Sequence, residues 1–147
     1  MKMRKIAIGF ADLANYGKLI ETVGTKKAIE YLQEAFKATG DAILKHGGKI
    51  HKYVGDAVLF YFDEPRAAAT AAREIAAGFR RNAGDLSLRC AVAVAYGEVA
   101  FCRIGHPSLL SDDIMGEPVN RAARLLKEAA ASSSGIAFCE EMKRCQM

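Results

Sequence analysis

Gly47-Gly48-Lys49-Ile50-His51-Lys52-Tyr53-Val54-Gly55-Asp56-Ala57-Val58-Leu59-Phe60-Tyr61-Phe62 is the stretch whose reading decides the fold. It reads as two β-strands folded at Gly55-Asp56, because β-branched and aromatic residues flank a short glycine-containing pair. Gly-Asp is a weaker turn pair than Asp-Gly. Asp56 falls at the tip, where a carboxylate stays hydrated enough to ionise and can hold a hard cation. Lys52 lies on the strand leading into that tip. An ordinary hairpin with a solvated aspartate is the alternative, since turns favour Asp whatever the function.

Upstream, Arg4 to Phe10 reads as a short strand with an apolar face, and Asp12 follows at its C-terminal end. Leu13 to Gly17 reads as a turn entering a helix, whose free N–H groups make a phosphate seat beside a carboxylate. From Thr25 to Lys45, Ala28, Ile29, Leu32, Ala35, Phe36, Thr39 and Ile43 recur at helical spacing. Thr25 suits the N-cap and Gly47-Gly48 the stop.

Downstream, Pro65 suits the start of an Ala-rich helix over Arg66 to Arg81. Leu86 to Tyr96 alternates as a strand, with a second strand after Gly97-Glu98 through Ile104. Gly105 to Ser108 reads as irregular. Asp112 to Gly116 leads into a helix from Pro118 to about Ala130. Ser132 to Gly135 is a loop, Ile136 to Cys139 a strand, and a helix starts at Glu140. The order β-α-β-β-α-β-β-α-β predicts an α+β fold. Its core is a ferredoxin-like βαββαβ sheet with helices on one face and the other face open or covered by a partner.

The chain has 147 residues, 51% hydrophobic and 26% charged, enough for one domain with a real core. No apolar run approaches the ~20 residues of a membrane helix, and no secretory signal is visible, so the chain reads as cytosolic or as the cytosolic part of something larger. The net charge of +4 suits a phosphate-bearing ligand without demanding one. Its basic residues are scattered, which argues against nucleic acid as a partner. Cys90, Cys102, Cys139 and Cys145 lack CxxC spacing and read as reduced thiols.

Asp12 and Asp56 converge at one end of such a sheet if the first strand lies beside the hairpin. Paired carboxylates with room for water and phosphate suit Mg²⁺. Two such ions can bridge a triphosphate, one activating a hydroxyl and one holding the leaving group. A chance coincidence of two turn carboxylates is the alternative. Asn120 and Arg124 stand one helical turn apart. An Asn orients a sugar and an Arg neutralises phosphate charge; a surface arginine and a misplaced cap are the plain readings.

Taken together, three blocks make the sequence resemble the catalytic domain of class III nucleotidyl cyclases. Phe10-Ala11-Asp12-Leu13 resembles the family's first metal motif. Lys52-Tyr53-Val54-Gly55-Asp56 resembles its Lys-Thr-Ile-Gly-Asp hairpin. Asp113 through Arg124 resembles its Tyr-Asp-x-Trp-Gly-x-x-Val-Asn-x-Ala-Ala-Arg block. The resemblance implies that Asp12 and Asp56, with the Leu13 carbonyl, bind two Mg²⁺ or Mn²⁺ ions per site. It implies that Lys52 and Asp113 read adenine, that Asn120 positions the ribose and that Arg124 stabilises the α-phosphate. Asn15, Tyr16 and Gly17 would seat the triphosphate, replacing the usual Gly-Phe-Thr. The implied reaction converts ATP to 3′,5′-cyclic AMP and pyrophosphate at the interface of a head-to-tail homodimer. Met115 stands where Trp is common, and Phe101-Cys102 replaces a small pair. The family continues past Ile136 to Cys139 with further strands and a triphosphate-binding Lys, so the domain is expected to be C-terminally short, with weaker ATP binding. A weak or inactive cyclase-like module that binds nucleotide is the second reading. An enzyme making cyclic dinucleotides ranks last, because Val54-Gly55-Asp56-Ala57 replaces its usual turn.

Overall fold

The computed structural model describes residues 1–146. Its elements are β1 (Lys2–Leu13), α1 (Tyr16–Val23), α2 (Thr25–Lys45), β2 (Lys49–Val54), β3 (Ala57–Phe62), α3 (Pro65–Gly78), β4 (Arg80–Ala83), β5 (Leu86–His106), β6 (Leu109–Met115), α4 (Glu117–Ala131), β7 (Ile136–Phe138) and α5 (Glu140–Arg144). The sheet runs β2-β3-β1-β5-β4, with β6 and β7 also paired to β5. Strands β2, β3, β1 and β5 are antiparallel neighbours in the order of a ferredoxin-like core, as expected.

Hairpin β2–β3 closes through a two-residue loop between the paired Val54 and Ala57. Gly55 has φ 61°, so positive φ falls at the first loop position, where glycine is free of Cβ strain. That is why Gly-Asp serves here in place of Asp-Gly. Alternation along β1 splits the core in two. Ala7, Ala11 and Leu13 join the large cluster built with α1, α2 and α3, including Leu19, Leu32, Ile43, Ala68, Ala72 and Ile75. Ile6 and Ile8 face the other way and meet Leu59, Val99 and Ile114, with Phe10 and Tyr61 beside them.

Four details differ from the sequence reading. The Ala-rich helix ends at Gly78, and Arg80–Ala83 is a strand paired to the start of β5. Leu86 to His106 is one continuous strand rather than two, because Gly97 and Glu98 stay in register with Ile6 and Lys5. Residues 109–115 form β6, folded back on β5 through Pro107 and Ser108, where a helix approach was expected. The N-cap of α2 is Gly24, with Thr25 already inside the helix.

Helix α4 approaches the sheet closely. A Cβ on Gly97 would lie 2.8 Å from Cγ of Pro118, so only glycine lets the first turn of α4 reach β5. Gly97 stands opposite Ile6, which places that turn on the Ile6–Ile8 face. At the far end, the Arg89 guanidinium donates to the carbonyls of Ala130 (3.0 Å), Ser132 (2.6 Å) and Ser133 (3.3 Å). These are carbonyls freed at the helix C-terminus, where a cation is favoured. Glycine thus admits one end of α4 and arginine fastens the other.

Candidate active site

Asp12 extends the row Ile6, Ile8, Phe10 and so shares their face of the sheet. It pairs in register with Ala57, the residue after Asp56. The end of β1 and the tip of the hairpin therefore bring the two aspartates together. Burial raises the Asp12 pKa to about 6, and the Asp56 charge adds to the rise. Asp56 is itself raised by partial burial, with a backbone hydrogen bond opposing, so this tip carboxylate is less hydrated than the sequence reading supposed. Behind them the Cys90 thiol is pushed up to about 11, chiefly by burial and further by Asp12. Cys90 lies 3.8 Å from the Thr39 hydroxyl.

Oδ1 of Asp12 is buried with no hydrogen-bond partner among the described residues. A buried carboxylate oxygen without a donor is unfavourable unless something positive meets it. Asp12, Asp56 and the backbone of Leu13 thus fit a hard divalent cation. Among the described residues no group of three or more His, Cys, Asp or Glu side chains has metal-binding geometry. A cation here would draw its other ligands from phosphate and water, as Mg²⁺ does at nucleotide sites.

Asn15 follows with φ 68° at the N-cap of α1 and accepts the Leu19 N–H at 2.9 Å. Tyr16 and Gly17 open the helix, so its first-turn N–H groups lie a few residues beyond Asp12.

A second constellation gathers between the two hairpins. Lys52 Nζ lies 3.0 Å from Asp113 Oδ1. His51 Nε2 lies 3.3 Å from the same oxygen, and the Ile114 N–H donates to it at 2.8 Å. Burial pushes Asp113 up, but the Lys52 ammonium, the Ile114 N–H and the His51 ring outweigh it, and the carboxyl sits below its ordinary range. A groove of about 420 Å³ lies alongside, lined in part by His51, Tyr61, Phe101 and Asp113. Tyr61 and Phe101 meet edge to face with centroids 5.3 Å apart. Lys52 stands opposite Leu59, and Leu59 opposite Phe10, so this constellation shares the sheet face of Asp12.

The sequence reading missed His51. Adjacent residues on a regular strand point to opposite faces, yet His51 and Lys52 both reach Asp113. The register slips between Ile50, opposite Phe60, and Lys52, opposite Leu59, which makes His51 the extra residue of a β-bulge. No local sequence signal marks that bulge.

Asn120 and Arg124 both lie exposed on α4. Among the described residues Arg124 reaches only Glu117, at 3.5 Å, with 69% of its side chain open. They share a helix face, as the spacing predicted, and within one chain they touch neither Asp12 and Asp56 nor Lys52 and Asp113 through any hydrogen bond or ion pair among the described residues.

The fold is that of the catalytic domain of class III adenylyl and guanylyl cyclases. A bacterial light-regulated adenylyl cyclase superposes with TM-score 0.86 at 22% identity, over 98% of this chain and 45% of that one. The adenylyl cyclase CyaB from P. aeruginosa gives 0.77 at 21% identity, over 99% and 82%. The guanylate cyclase domain of RhGC from Catenaria anguillulae, in complex with GTP, gives 0.81 at 19%, over 99% and 84%. In sequence, the chain is similar to an uncharacterized protein of Mycobacterium bovis, 32% identical over 123 residues, 84% of this chain. An uncharacterized protein of Mycobacterium tuberculosis is 29% identical over 134 residues. The chain spans 30% and 24% of the length of these two relatives. No protein-family profile matches it. No helix among the described residues is long and apolar enough to cross a membrane. Solved neighbours of both base specificities share this fold, so fold alone does not choose between ATP and GTP.

Proposed function

We propose that this chain is an adenylyl cyclase domain, forming 3′,5′-cyclic AMP and pyrophosphate from ATP in a head-to-tail homodimer. The observation that carries the reading is the Lys52–Asp113 pair at 3.0 Å on the sheet face of Asp12. An ammonium and a carboxylate side by side match the adenine edge. Lys52 donates to the ring N1, and Asp113 accepts from the exocyclic amine. Guanine presents the reverse, an N1–H donor and a carbonyl acceptor, and leaves both charges unmatched.

Asp12 and Asp56 hold the cations, with the Leu13 carbonyl. Bound there, Mg²⁺ or Mn²⁺ supplies the positive charge that lowers the pKa of the ribose 3′-hydroxyl and stabilises pyrophosphate. The α1 N-terminus at Asn15, Tyr16 and Gly17 receives phosphate oxygens through its N–H groups. Asn120 orients the ribose, and Arg124 meets the charge that grows on the α-phosphate during in-line attack. Since Asn120 and Arg124 are exposed and make no contact with the carboxylate pair of their own chain, a partner's copies complete each site.

The test is incubation of the purified protein with ATP or GTP and Mn²⁺ or Mg²⁺, with products separated by chromatography. Cyclic AMP from ATP, with little cyclic GMP from GTP, is the expected result. Bound nucleotide without product favours a non-catalytic nucleotide-binding module instead.

A further inference from the structure

We infer that His51 is a positioning residue for base selection: its ring holds the Asp113 carboxylate in place when Lys52 leaves to engage adenine. The inference rests on the adenylyl cyclase reading above.

Lys52 carries three N–H donors on its ammonium, and reaching the purine N1 draws it off its present contact with Asp113. In the structure it spends its ammonium on Asp113. When it turns to the purine N1, Asp113 loses its nearest charged partner. A carboxylate side chain that is only 14% exposed then keeps the Ile114 N–H, and without a second donor it swings toward water. His51 is that donor. Its Nε2 already lies 3.3 Å from Oδ1, with the side chain 16% exposed and therefore shielded from competing water.

Three features show that the site is built for this. The bulge at His51 turns two successive side chains toward one carboxylate. The Ile114 N–H at 2.8 Å pins the same Oδ1, so the three donors converge on one oxygen and leave Oδ2 for the adenine amine. The Cys102 thiol donates to the Asp113 main-chain carbonyl at 3.7 Å, steadying the backbone that carries the carboxylate. The charged and titratable groups around the ring are Lys52 on β2, Tyr61 on β3, Asp113 and Asp112 on β6, Arg103 and Cys102 on β5, and the amino terminus at Met1. Of these, Asp113 is within bonding distance of His51. His51 touches no reacting atom; it acts through Asp113.

The test compares wild type, His51→Leu and His51→Gln. Gln keeps an N–H donor near the position of Nε2 and Leu removes it. Steady-state cyclase assays with ATP and GTP are paired with binding of fluorescent ribose-labelled ATP and GTP analogues, so that base affinity is read without turnover. Circular dichroism melts check folding. His51→Leu is expected to raise the KM for ATP and weaken the ATP analogue about ten-fold, the loss of one hydrogen bond to a charged group. Its kcat should change far less, and GTP analogue binding should stay constant, so the ATP preference shrinks. His51→Gln should restore most of it. Should His51→Leu fail to fold, His51→Gln against His51→Ala gives the same contrast. Unaltered ATP preference in the donor-free variants, with wild type preferring ATP, overturns the role of His51 alone. A wild type without ATP preference overturns the adenine reading and this inference with it.

Discussion

Lys52 and Asp113 come from different hairpins, β2–β3 and β5–β6, and meet at 3.0 Å. On the proposed reading the pair is complementary to adenine and mismatched to guanine. Reversing its chemistry should reverse the preference. The double variant Lys52→Glu, Asp113→Cys is expected to lose at least a hundred-fold in kcat/KM for ATP and to gain activity on GTP. Assays of both cyclic nucleotides check this, and an undiminished ATP preference would remove the base-reading role.

The proposed division of the site between chains predicts complementation. Asp12→Asn and Arg124→Ala should each lose two orders of magnitude or more in kcat as homodimers. Mixed in equal amounts, they form heterodimers in which one site carries both defects and the other neither. Roughly a quarter of wild-type activity should return, since half of a random mixture is heterodimer with one of its sites intact. A mixture that stays inactive would show that each chain completes its own site.

Asp12 predicts a pH effect on stability. Its pKa is raised to about 6 from an ordinary 3.8. A group that holds its proton more tightly when folded contributes stability below its unfolded pKa and loses it as pH rises through the folded one. Between about pH 4 and 6 wild type should therefore lose stability relative to Asp12→Asn, which cannot ionise, and the variant should melt higher at pH 7.5. Mn²⁺ should raise the wild-type Tm at pH 7.5 more than at pH 5, and the variant's far less at either pH. Melting curves at both pH values, with and without Mn²⁺, decide it.

Arg89 predicts a purely structural loss with a functional echo. Arg89→Ala strips the carbonyls of Ala130, Ser132 and Ser133 of their shared donor. The expected destabilisation is about 2 kcal/mol, a fall in Tm of several degrees. Because α4 carries Asn120 and Arg124, kcat should fall while KM for ATP holds. A variant with unchanged Tm would mean the helix end is satisfied by water.

The sequence by itself determined most of the elements and the residue types on which the proposed chemistry calls. The apolar runs of β1 and β3, the helical period of α2, and Pro65 and Pro118 at helix starts are local properties, and the structure reproduces them. The blocks around Asp12, Asp56 and Asp113 were visible for the same reason. Only the tertiary structure decided what lies beyond a few residues' reach. The bulge that adds His51 to Lys52 depends on how β2 slips against β3, and register belongs to two strands rather than one. The single long β5, the return strand β6 and the short β4 stand where local composition suggested turns or helix, because pairing with β1 and β5 outweighs weak local preference. Cross-strand packing also put the end of β1 beside the hairpin tip, leaving Asp12 Oδ1 buried without a donor, a property that exists only once two segments share one low-dielectric corner.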